Sequence, residues 1–133
     1  MKIVFVDNST IVLKTLKTLI LELIENKIIF CEFISDERKL YKQLENQTIE
    51  YDILFSEIDM QYINGYKLAS YAKSIKKYSS KKIVAITTEF SADAQQEGIK
   101  NGIDAWFIKS ITQDFLQKSI LEYIENTKKE LSE

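Results

Sequence analysis

Short apolar runs alternate along the chain with longer segments in which apolar residues recur at helical spacing. The runs are rich in Ile, Val and Phe, and several are apolar at nearly every position. This pattern is typical of parallel strands that are covered on both faces of a sheet. It predicts strands at 2–6, 28–34, 50–56, 82–87 and 104–108.

The segments between these runs have the periodicity of amphipathic helices. Ser35 and Thr112 are candidate N-caps for the second and the last helix. Gly98 weakens the fourth helix from within, and Gly102 ends it. The predicted helices span about 10–26, 36–47, 65–77, 91–101 and 112–130.

The predicted order is a strand followed by a helix, repeated five times. Right-handed crossovers then give a doubly wound α/β fold, with a parallel five-stranded sheet and helices on both faces. No linker, repeat or low-complexity segment interrupts the pattern. We therefore expect residues 1–133 to form a single domain.

Composition narrows the possible functions. The net charge is −2, which predicts no general attraction to nucleic acid or to anionic membranes. The chain has no histidine, which excludes His-based zinc sites and Ser-His-Asp catalysis. No apolar stretch is long enough to span a membrane, and the apolar start is too short for a signal peptide. We expect a cytoplasmic protein.

Charged residues of opposite sign follow three of the predicted strands. Asp7 follows the first strand, Glu57 the third and Lys109 the fifth, and Asp59 comes two residues after Glu57. The carboxyl ends of parallel strands meet at one edge of the sheet, where sites form in open α/β folds. A buried acid there is costly without a partner, so we expect Lys109 to balance it.

These residues belong to a series of motifs that resembles the receiver domains of two-component response regulators, in their single-domain, chemotaxis-type form. The resemblance covers nearly the whole chain and implies the flavodoxin-like strand order 2-1-3-4-5. Each motif alone is weak, but five in this order are specific. They are Val6-Asp7-Asn8-Ser9, Glu57-Ile58-Asp59-Met60, Asn64-Gly65, Ile86-Thr87-Thr88 and the segment 102–109.

The resemblance implies a role for each site residue. In the family, an aspartate on the third strand accepts a phosphoryl group while Mg²⁺ shields its oxygens. Carried over by position, Glu57 is the phospho-acceptor position. The acidic pocket is Asp7, Asn8 and Asp59, the switch residues are Thr87, Trp106 and Lys109, and a weak or absent Mg²⁺ would be held by Asp7, Glu57 and Asp59.

Three departures from the family pattern fall within the site itself. Glu57 replaces the acceptor aspartate, which lengthens the side chain and lets it approach Lys109 directly. Asn8 replaces the second acid of the pair, which should weaken Mg²⁺ binding. Ser110 replaces the proline that usually follows the lysine, and we expect a trans peptide there because a cis bond before serine costs about 3–4 kcal/mol.

Plainer interpretations remain open for several of these residues. Asp7, Asn8 or Ser9 could cap the first helix, and Thr87 could be an ordinary strand-end hydroxyl. The bulk of Trp106 favours a static role over an inward rotation.

The resulting hypothesis is a stand-alone, degenerate receiver in phosphorelay signalling. It is not an enzyme, and it contacts a sensor kinase or output protein through its fourth helix, fifth strand and fifth helix. One alternative is a phosphorylation-competent receiver that uses Mg²⁺ and another pocket carboxylate. A second is a flavin-binding electron carrier, which the acidic, glycine-free loop after the first strand disfavours.

Overall fold

The computed structural model describes residues 1–132, which form one parallel five-stranded sheet with helices on both faces. The strand order is β2-β1-β3-β4-β5, which confirms the predicted fold class and strand order. The strands are β1 Lys2–Val6, β2 Phe30–Ile34, β3 Ile53–Ser56, β4 Lys82–Thr87 and β5 Ala105–Ile108. The helices are α1 Thr10–Leu19, α2 Leu21–Glu25, α3 Glu37–Asn46, α4 Gly65–Ser74, α5 Ala92–Lys100 and α6 Gln113–Ser132.

Each face of the sheet has its own apolar core, because successive strand residues point to opposite sides. Val4 and Leu54 face a core that includes residues of α3 and α4. Phe5 and Phe55 face the other core, together with α1 and α6, and their rings stack 4.8 Å apart. The central strands β1, β3 and β4 are therefore covered on both sides, as their continuous apolar sequences predict, whereas the edge strands β2 and β5 are partly exposed.

The prediction of five helices is wrong in one respect, because the first predicted helix is two. Ile20 separates α1 from α2 with φ −116° and ψ 13°, outside the helical region, and its side chain is fully buried. Apolar spacing continues across this break, so the periodicity does not reveal it. No helix within residues 1–132 is both long and apolar enough to cross a membrane.

Several element boundaries also differ from the prediction. β2 begins at Phe30 and β3 at Ile53, because the apolar residues before them lie in the connecting segments rather than paired in the sheet; Ile29, Ile49 and Tyr51 are buried there, whereas Ile28 is exposed. The cap of α3 is Asp36, whose side chain accepts the Arg38 N–H, and not Ser35. The helix α4 ends at Ser74, three residues earlier than predicted.

Other local predictions are confirmed. Thr112 caps α6 by accepting the Phe115 N–H at 3.1 Å. Gly102 follows the end of α5 with φ +91°, which only glycine adopts without strain. No peptide bond in the described part of the chain is cis, so the bond before Ser110 is trans. Ser110 itself has φ +37°, an unusual conformation for a residue with a side chain.

Candidate functional site at the carboxyl end of the sheet

Three backbone hydrogen bonds extend the sheet one residue beyond the strands and fix the charged residues. The Asp7 N–H donates to Ile34 O at 3.2 Å, and the Glu57 N–H donates to Val6 O at 3.1 Å. The Lys109 N–H donates to Thr87 O at 2.8 Å. The side chains of Asp7, Glu57 and Lys109 therefore start from ordered backbone at the same sheet edge.

Lys109 lies between the two acids, as the sequence predicts. Its Nζ is 2.6 Å from Glu57 Oε1 and 2.9 Å from Asp7 Oδ2. The acids are nearly buried, with side chains 10% and 8% exposed, whereas that of Lys109 is 21% exposed. Burial lowers the pKa of Lys109, but the hydrogen bonds to Glu57 and Asp7 outweigh this effect and hold the pKa above its ordinary value.

The remaining carboxylate oxygens of this group are also used. Glu57 Oε2 accepts the N–H of Ile58 at 2.7 Å, and Asp7 Oδ1 accepts the N–H of Ser9 at 2.8 Å. Both acids therefore pair with the ammonium through one oxygen and with backbone through the other. Such pairing is what allows charges to remain at a nearly buried position.

The β3–α4 loop passes close to this group because Gly65 has no side chain. A Cβ at Gly65 would collide with the backbone oxygen of Glu57 and lie 2.8 Å from Ile58 Cα. Asn64 caps α4 by accepting the Lys67 N–H at 2.9 Å. The Asn64-Gly65 motif is thus a helix start that approaches the strand end, and not only a turn signal.

Asn8 is turned toward this loop and toward α3. Its Oδ1 accepts the Gln61 N–H at 2.6 Å, and its Nδ2 donates to Glu37 Oε1 at 2.9 Å and to Ser35 O at 3.2 Å. Asp59, by contrast, is exposed to solvent. The predicted pocket residues are therefore not gathered into one acid cluster.

Glu37 is the site residue that sequence reasoning missed. Its side chain is fully buried, and its Oε2 accepts the N–H groups of Tyr62 at 2.9 Å and Ile63 at 3.3 Å. Burial raises the pKa of Glu37, but hydrogen bonds from Tyr62 N–H and then from Asn8 outweigh it, so the pKa lies below its ordinary value. In sequence, an acid in the first turn of a helix looks like an exposed partner of the helix dipole, which gives no signal of burial.

The residues present do not form a ready Mg²⁺ site in this arrangement. Mg²⁺ requires near-octahedral oxygen ligands. The Lys109 ammonium already pairs with both Asp7 and Glu57 and offsets one of their two charges, and the Asn8 oxygen accepts a backbone N–H. Within residues 1–132, no group of three or more His, Cys, Asp or Glu residues is arranged to hold a metal.

The predicted switch residues lie on β4 and β5. Thr87 is 2% exposed, and its Oγ1 accepts the Glu89 N–H at 3.3 Å. Trp106 is partly buried, and its Nε1 donates to Glu89 O at 2.8 Å. A Cβ at Gly98 would lie only 2.8 Å from Trp106 Cζ3, so the glycine that weakens α5 also makes room for the indole ring.

Comparisons with known proteins agree with this architecture. Residues 3–121 match the response regulator receiver domain. The chain is 32% identical over 129 residues to stress response regulator protein 1 of Lodderomyces elongisporus, and 29% identical over 129 residues to that of Candida albicans. These alignments cover 96% and 95% of this chain but only 34% and 44% of the yeast proteins, so the chain spans less than half the length of these two relatives.

Solved structures show the same fold at low sequence identity. The CheY-like receiver domain protein of Methanospirillum hungatei superposes with a TM-score of 0.81 at 20% identity, covering 97% of both chains. The chemotaxis protein CheY4 of Vibrio cholerae superposes with a TM-score of 0.77 at 23% identity, covering 91% of this chain and 96% of its own. At these identities the structures support the fold alone.

Proposed function

This chain belongs to the response regulator receiver family, and we propose that it acts through contact with a partner protein, with its acid pocket closed by a permanent ion pair. Receivers are modules of two-component signalling rather than typical enzymes. The observation that carries the proposal is the position of the Lys109 ammonium, 2.6 Å from Glu57 and 2.9 Å from Asp7.

We place Glu57 at the position of the aspartate that receivers phosphorylate. One of its oxygens contacts the Lys109 ammonium and the other accepts the Ile58 N–H, so the carboxylate is fixed in orientation and stabilised as an anion, which makes it a weaker nucleophile. In-line transfer also requires close placement of the nucleophile, and a displacement of about 1 Å can cost ~10²-fold in rate. Glu57 therefore serves as a fixed negative charge that holds Lys109, and the module needs no phosphoryl group to keep this contact.

The partner surface in this proposal is formed by α5, β5 and α6. These are the predicted fourth helix, fifth strand and fifth helix, renumbered because the first predicted helix is two. Large apolar side chains are exposed there, including Phe90 at 74%, Ile99 at 66% and Phe115 at 49%. Exposed aromatic and aliphatic groups of this kind are common anchors of protein interfaces. The hydrogen bond from Trp106 to Glu89 O ties β5 to the loop before α5, which contains Phe90. The partner would be a sensor kinase or an output protein.

A phosphorylation-competent receiver is the second candidate, and the exposure of Asp59 favours it. Asp59 lies two residues after Glu57, and its carboxylate is open to solvent. In this version Asp59 accepts the phosphoryl group in place of Glu57. The first candidate predicts an unchanged mass after incubation with a phosphoryl donor, whereas the second predicts the added mass of one phosphoryl group on Asp59.

Incubation with acetyl phosphate and Mg²⁺ tests the proposal, with intact mass and peptide mapping as the readout. We expect no stoichiometric gain of a phosphoryl group. Stoichiometric modification of Glu57 would defeat the proposal, and modification of Asp59 would establish the second candidate. The matched variants are E57D, alone and with N8D, and labelling of the double variant would show that the remaining phosphotransfer residues are intact.

A second measurement uses beryllofluoride with Mg²⁺ as a phosphoryl mimic. The chain has one tryptophan, and Trp106 is hydrogen-bonded to the loop that follows β4. We expect its fluorescence to remain unchanged across the titration. A saturable change would mean that the pocket still operates as a switch.

A further inference from the structure

Glu37 is a fully buried carboxylate whose hydrogen-bond partners are amides. Oε2 accepts the Tyr62 and Ile63 N–H groups, and Oε1 accepts the side-chain amide of Asn8. A carboxylate that accepts several N–H bonds is stabilised in its charged form. Glu37 therefore anchors the backbone of the β3–α4 loop to the first turn of α3, across 25 residues of sequence.

Asn8 completes this anchor, and its amide can be oriented in only one way. Its oxygen faces the Gln61 N–H at 2.6 Å, and its nitrogen faces the Glu37 carboxylate at 2.9 Å. The reversed amide would place two donors together at Gln61 and two acceptors together at Glu37. An oxygen that already accepts the Gln61 N–H has only one lone pair left and is a weaker ligand for a metal ion.

Arg38 adds a side-chain contact to the same loop. Its guanidinium lies 3.7 Å from the centre of the Tyr62 ring, in cation–π geometry. Asp36 holds the guanidinium in place through contacts of 3.0 and 2.8 Å. We call Asn8, Glu37 and Arg38 the loop clamp, because together they hold both backbone and side chain of segment 61–63.

We propose that Glu37 is the positioning residue of the β3–α4 loop beside the site: through the loop clamp it fixes segment 61–63 without a divalent cation and favours an amide over an acid at position 8. Asn8 is exposed, so an acid at position 8 would either face the buried Glu37 carboxylate or turn to solvent and release the Gln61 N–H, and both outcomes weaken the clamp. Residues 8 and 37 are therefore coupled. The inference stands whether or not Glu57 accepts a phosphoryl group.

A charge exchange between the two positions provides the test. N8D alone places two carboxylates in contact. E37Q alone places the side-chain amides of residues 8 and 37 in contact, with two donors facing each other where Asn8 now donates to Glu37. The double variant N8D/E37Q reverses the direction of the bond between the two side chains. It keeps an acceptor for the Gln61 N–H and for the Tyr62 and Ile63 N–H groups, so these contacts of the clamp are rebuilt with the charge on the other residue. The longer bond from Asn8 to Ser35 O, at 3.2 Å, is lost in both N8D and the double variant.

The readout is hydrogen exchange at the amides of residues 61–63, measured without metal and normalised to amides of β1. We expect each single variant to lose at least about tenfold protection, and the double variant to return to within about threefold of the original protein. The control is E45Q, which removes the same charge from an exposed position of α3 and should leave protection unchanged.

Two results would overturn the inference. The first concerns the variants: either both single variants keep the protection of the original protein, or both lose protection and the double variant loses as much as the two single losses multiplied together. Either outcome would show that residues 8 and 37 are not coupled. The other is a rise of tenfold or more in the protection of segment 61–63 of the original protein when Mg²⁺ is added, because the loop would then depend on metal. The Mg²⁺ measurement and the double variant decide the matter even where N8D fails to fold.

Discussion

The two ends of the sheet carry ion pairs of the same residue types in different surroundings. At the carboxyl end, Lys109 pairs with acids that are 8% and 10% exposed. At the amino end, Lys81 lies 3.5 Å from Asp52, and their side chains are 38% and 39% exposed. Exposed pairs contribute about 0–1 kcal/mol, whereas a buried charge that loses its partner costs about 3–5 kcal/mol. Burial, and not residue type, separates a site from ordinary solvated surface.

The largest expected effect is that of K109M, which removes the cation between two nearly buried acids. We expect a loss of about 3–5 kcal/mol in the free energy of unfolding near pH 7, measured by urea denaturation. The pKa of Lys109 is raised, so its contribution is fully present below the pKa of an unfolded lysine and is lost as pH rises through the folded value. The difference between the two proteins should therefore shrink only at strongly alkaline pH.

Next in size is the effect of E37Q, for which E50Q is the matched control. The pKa values of Glu37 and Glu50 are both lowered. Burial raises the pKa of Glu37, but hydrogen bonds from backbone N–H groups and from Asn8 outweigh it, whereas the pKa of Glu50 is lowered by its hydrogen bond to Lys77. A lowered pKa gives stability that is present above the unfolded value and is lost as pH falls through the folded one. We expect E37Q to lower the free energy of unfolding by about 2 kcal/mol at pH 7. The free energy of unfolding of E37Q should also fall less steeply than that of the original protein as the pH is lowered.

The effects of substituting these two carboxylates should differ in their dependence on salt. Glu50 has an exposed side chain, so ~0.5 M NaCl should abolish any effect of E50Q. The effect of E37Q should persist, because the Glu37 carboxylate is itself buried and its partners are amides rather than a mobile charged side chain. Equal salt sensitivity of the two variants would break the distinction between buried and exposed acids.

A smaller effect is expected from G65A, which tests how closely α4 approaches the end of β3. The added methyl group would collide with backbone at Glu57 and Ile58, which cannot move as a side-chain tip can. We expect a loss of about 1–2 kcal/mol, although alanine is otherwise favoured in helices by ~1 kcal/mol. The control S70A changes an exposed position of the same helix and should cost nothing measurable. A more stable G65A would show that the loop adapts freely.

The smallest effect belongs to K81M at the amino end of the sheet. Its pair with Asp52 is long and exposed, so we expect a change of about 0.5 kcal/mol or less in the same urea experiment. A loss that matches that of K109M would remove the contrast between the two ends.

Sequence patterns predicted the fold and the meeting of Asp7, Glu57 and Lys109, because a parallel sheet brings strand ends together whatever the details of packing. They failed where a single residue decides. Ile20 breaks the first helix without breaking its periodicity, and Glu37 is buried by a loop that lies 25 residues further along the chain. A pattern read within a short window cannot register a partner at that distance.

The pairing of Asn8 with Glu37 also restricts how this sequence can change over time. Each single exchange passes through a protein with either two facing carboxylates or two mismatched amides, and only the joint exchange restores the hydrogen bonds. On the proposed coupling, an acid at position 8 suits this loop only when position 37 changes with it. Two codons 29 residues apart are thereby linked through one hydrogen bond.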